Sequence, residues 1–72
     1  MEVRLTLDDD VIKKMMDKTG VSKATDLTKD AMTMLHWAIE EAASGRVVLS
    51  TDSDGQNVQR LVMPTLSKAM AK

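Results

Sequence analysis

Arg4-Leu5-Thr6-Leu7-Asp8, preceded by Met1-Glu2-Val3 and followed by Asp9-Asp10, is the stretch on which the reading of this 72-residue chain turns. Val3, Leu5 and Leu7 alternate strictly with Glu2, Arg4 and Thr6, the period of a strand with one buried face. A strand left alone exposes a row of unsatisfied N–H and C=O groups, so it needs a partner. The residues that follow cannot supply one as a hairpin, because Asp8-Asp9-Asp10 suits the capped, electropositive start of a helix. Pairing with the same strand of a second copy about a two-fold axis meets the demand and leaves a doubled polar face.

Beyond the aspartates the period lengthens. Val11, Ile12, Met15 and Met16 recur at helical spacing, and Thr19-Gly20 supplies a stop, so a first helix is expected from about Asp9 to Thr19. Val21-Ser22 restarts the pattern, with Ser22 as the expected N-cap and Val21 as a hydrophobic staple. Leu27, Ala31, Met34, Leu35, Ala38, Ile39 and Ala42 then keep a helical period up to Ser44-Gly45. After Gly45 two β-prone runs flank an Asp54-Gly55 turn, which predicts a hairpin. The expected organisation is a core of residues 1–45, a C-terminal hairpin at 46–64 and a flexible or weakly helical tail at 65–72, with Leu66 and Met70 as its anchors.

Composition narrows the function classes. A chain this short sits where a single core supplies only ~3–5 kcal/mol, and extra stabilisation is usually required. It has no cysteine and one histidine, so neither disulfides nor a four-ligand zinc site is expected. Oligomerisation is the remaining route. No signal peptide or membrane span is read from the sequence, and a cytoplasmic location is the expectation. No nucleophile with an adjacent base and no convergent carboxylate pair can be assembled, so the chain is not read as an enzyme and no cofactor or metal is expected. His36 is read as an ordinary helix-surface or interface residue, Trp37 as an interface anchor, and Met15, Met16, Met32 and Met34 as adaptable core filler.

The strand, cap, helix, Gly-Val-Ser and second helix from Arg4 to about Ala43, and above all Arg4-Leu5-Thr6-Leu7-Asp8 with Gly20-Val21-Ser22-Lys23-Ala24, resemble the ribbon-helix-helix repressors of the Arc and methionine-repressor type. The resemblance covers roughly the first sixty per cent of the chain. It implies a mainly α fold with short β: an intertwined homodimer whose two N-terminal strands form an intersubunit antiparallel two-stranded ribbon, here with a C-terminal β-hairpin added. It implies a sequence-specific transcriptional repressor on double-stranded DNA, with Glu2, Arg4 and Thr6 reading base edges and Val21, Ser22 and Lys23 holding a phosphate. Such a ribbon fits the ~12 Å major groove, where Arg bonds guanine, Thr meets a base or a thymine methyl, and Glu accepts from cytosine. The expected dimer core is Val3, Leu5 and Leu7 over Leu27, Ala31, Met34, Leu35 and Ala38.

The overall charge of -1 lacks the basic excess common in DNA-binding proteins. Phosphate affinity is nevertheless local, since exposed charges more than ~8–10 Å away are largely screened at physiological salt. Lys13, Lys14, Lys18 and Lys29 are further candidates for the DNA backbone. The near-neutral charge also motivates a second reading from a different class: an antitoxin-like protein-binding module that engages a protein partner through residues 46–72. A third expectation is that the hairpin adds to the dimer or joins dimers in pairs.

Overall fold

A computed structural model describes residues 1–72 as a mainly helical protein with three helices and one two-stranded antiparallel sheet. In chain order the elements are α1 (Asp9–Thr19), α2 (Ala24–Ala43), β1 (Leu49–Ser50), β2 (Gln59–Arg60) and α3 (Pro64–Ala71). They divide into two compact units, residues 1–32 and 33–72, and α2 begins in the first and ends in the second.

In the first unit, α1 has the bounds that the sequence predicts. The Asp8 carboxylate accepts hydrogen bonds from the N–H groups of Asp10 (2.8 Å) and Val11 (3.3 Å), satisfying two of the donors a helix start leaves free. Asp9 and Asp10 place negative charge at the positive end of the helix dipole. At the other end Gly20 adopts φ 76°, and its N–H donates to the Met16 carbonyl at 2.8 Å. That left-handed cap is costly for any residue bearing a Cβ. Residues 1–7 belong to no strand within the chain, whose single sheet is β1 with β2.

The α2 start differs from expectation by a small shift with a clear consequence. The helix begins at Ala24, which puts Lys23 rather than Ser22 next to its first residue. Its end is a Schellman turn: Arg46 N–H donates to Glu41 O at 2.9 Å and Gly45 N–H to Ala42 O at 3.0 Å, with Gly45 at φ 85°.

The second unit holds the larger core. Ala38, Ala42 and Leu66 are buried together, with Leu35, Ile39, Val48, Leu61, Met63 and Ala69 packed around them. Ala38 and Ala42 are four apart on α2 and therefore share one face, and their small side chains leave space for Leu66 of α3. The hairpin exists but is shorter than its β-prone runs suggest: only Leu49↔Arg60 and Ser50↔Gln59 pair, extended by Leu61 N–H to Val48 O at 2.8 Å. Its loop is closed by Asp52 N–H to Gln56 O (2.8 Å) and Gly55 N–H to Asp52 O (2.9 Å), and the Asn57 side-chain amide donates to the Asp52 carboxylate. Most of residues 65–72, read as a flexible or weakly helical tail, belongs to α3, which starts at Pro64 and ends at Ala71. Proline there gives up no helix hydrogen bond and presets φ.

Two expectations about the core need correction. Ala38, assigned above to the dimer core, is buried in this chain's own cluster with Ala42 and Leu66, and Leu35, assigned there too, packs against that cluster while staying partly exposed. Of the methionines read as core filler, Met15, Met32 and Met34 are exposed, because no element of the chain packs over them. Only Leu27 is buried in the first unit, and full burial of one leucine supplies roughly 1.5–3 kcal/mol.

Candidate nucleic-acid interface

The first unit is built around an open apolar groove. Leu5 and Leu7 of the N-terminal segment, Val11, Ile12 and Met15 of α1, and Leu27, Ala31 and Met32 of α2 line a space of about 310 Å³. Helical spacing brings Val11, Ile12 and Met15 to one side of α1, and the turn at Gly20 carries the chain back so that Leu27 and Ala31 meet them. Sequence reasoning assigned Leu5, Leu7, Leu27 and Ala31 to this seam and omitted the α1 residues and Met32. The recurrence of Val11, Ile12 and Met15 at helical spacing was the signal that could have placed the α1 residues there.

The residues predicted to touch DNA are all accessible. Glu2, Arg4 and Thr6 are exposed and alternate along the chain with the groove-lining Leu5 and Leu7. In an extended backbone, successive side chains leave on opposite sides, so when Leu5 and Leu7 face the helices, Arg4 and Thr6 face away. Ser22 and Lys23 are exposed and Val21 is half-buried. The Val21 N–H donates to Thr19 Oγ1 at 3.2 Å, which removes it as a free phosphate donor in the isolated chain. Lys23, adjacent to the first residue of α2, is a cation where the helix dipole also favours an anion.

Outside this region, His36 lies on the α2 surface with Nε2 at 3.8 Å from Glu40 Oε1, one turn away. No group of three or more His, Cys, Asp or Glu side chains stands where it could hold a metal ion. No helix is long and apolar enough to cross a membrane. Comparison with known proteins finds no matching protein-family profile, no matching curated protein and no matching solved structure.

Proposed function

We propose that this protein is a ribbon-helix-helix transcriptional repressor: a homodimer that binds double-stranded DNA sequence-specifically, reading the major groove with an intersubunit ribbon made of residues 2–7 of each copy. The observation that carries the reading is the union of Leu5 and Leu7 with α1 and α2 in one open apolar groove, while the alternate residues Glu2, Arg4 and Thr6 stay accessible. A second copy laid strand against strand satisfies the unpaired backbone of residues 2–7 and covers the groove. It also doubles the polar set, so that two Arg4, two Thr6 and two Glu2 side chains occupy one ribbon of groove width. The starts of the two α2 helices, each with Lys23, clamp flanking phosphates and fix the ribbon's register.

The test is a gel-shift comparison against a selected operator and unrelated duplex DNA. Arg4→Ala lowers discrimination between the two by roughly ten- to a hundredfold, while the variant remains a folded dimer by sedimentation and circular dichroism. Undiminished discrimination by that variant would remove the ribbon as the reader.

A further inference from the structure

We propose that Met15 and Met32 make the seam of the dimer a redox switch: oxidation of their thioethers to sulfoxides by hydrogen peroxide keeps the two copies apart and so releases the DNA. The proposal rests on the homodimeric reading above and adds its regulation.

The chain has seven methionines and no cysteine, so thioethers are its only oxidisable sulfur. Two of them, Met15 of α1 and Met32 of α2, line the groove that Leu5 and Leu7 share with the helices. In the single copy they are 41% and 58% exposed, open to a small oxidant whenever the copies are apart. The peroxide O–O bond breaks as an S–O bond forms. The sulfur gives up two electrons, the peroxide takes them, and water leaves. A flexible apolar side chain thereby gains a polar oxygen that accepts hydrogen bonds.

What that oxygen meets decides the outcome. Asp8 and Thr28 are the only lining residues whose side chains carry oxygen or nitrogen. The Asp8 carboxylate accepts hydrogen bonds and has none to give, and the Thr28 hydroxyl already donates to the Ala24 carbonyl at 3.1 Å. No lining side chain is free to donate to a sulfoxide. A second copy related by a two-fold axis brings the same lining to the seam. Closing the groove therefore takes water from the sulfoxide oxygen and replaces it with nothing, a cost that the thioether does not carry. With two such groups from each copy, the cost accumulates in one seam.

The experiment treats the full chain with hydrogen peroxide, locates the sulfoxides by peptide mass spectrometry, and follows the dimer by sedimentation and operator binding by gel shift. A double variant, Met15→Leu with Met32→Leu, keeps the groove apolar at similar volume. Peroxide weakens association of the full chain about a hundredfold or more, and methionine sulfoxide reductase restores it. The double variant remains a DNA-binding dimer after the same treatment. In the full chain, Met15 and Met32 oxidise more slowly as protein concentration rises, whereas Met70, exposed and outside the groove, does not. A chain oxidised at Met15 and Met32 that still pairs, or a double variant as sensitive as the full chain, overturns the switch and leaves the ribbon dimer standing. An untreated chain that sediments as a monomer at every concentration overturns both.

Discussion

Asp8 and Gly20 each cap α1, and Arg4 and Lys23 each have one proposed role on DNA, and a single substitution isolates each of the four. Asp8→Ala removes the acceptor for two α1 donors and lowers stability by about 1 kcal/mol, read as a shift in the urea midpoint at fixed protein concentration. At Gly20 an added Cβ meets nothing within 4 Å, so Gly20→Ala costs only the left-handed backbone, about 1–2 kcal/mol by the same assay. Arg4→Ala carries no comparable folding cost, because the side chain is exposed. Its expected loss is instead the ~1–3 kcal/mol of discrimination that a bidentate contact to guanine provides. Lys23→Gln weakens operator and non-operator DNA alike and lowers the salt slope of binding by about one per copy, measured by titration across ionic strengths.

The elements differ in how much of them could be read from the sequence. The bounds of α1 were legible because both ends are fixed by contacts within four residues, at Asp8 and Gly20. The start of α2 at Ala24 lies one residue beyond the start that a Ser22 cap implies, a shift within the one or two residues by which helix ends fray. Pro64 was a local start signal for α3, but the docking of Leu66 onto Ala38 and Ala42 joins residues more than twenty positions apart, and no spacing rule reveals it. The same long-range packing explains why Leu35 and Ala38 looked like dimer-seam residues: an apolar helix stripe does not state what covers it. Leu66→Ala therefore tests the element most weakly signalled in the sequence. It should cost about 2–5 kcal/mol and abolish hydrogen-exchange protection in α3 before protection in α1 is lost.

At the scale of the whole molecule, four buried hydrophobic residues are too few to hold 72 residues in order. In the proposed dimer the second copy supplies the missing stabilisation and couples folding to association. The melting temperature consequently rises with protein concentration, and a monomer-sized, concentration-independent transition in calorimetry would show that the chain stands alone. Of the candidate site, the alternation at residues 2–7 singled out Leu5 and Leu7, which line the groove with α1 and α2, and Glu2, Arg4 and Thr6, which are exposed. What the sequence did not reveal is that Met34 shares a groove with Val48, Leu49 and Leu61, because that depends on where the hairpin folds back rather than on any local pattern. The central claim, that two copies form one ribbon that reads duplex DNA, is met most directly by selecting bound sequences from a pool of random duplex DNA. The dimer should enrich a two-fold symmetric consensus containing a guanine in each half-site, and recovery of an unenriched pool would contradict it.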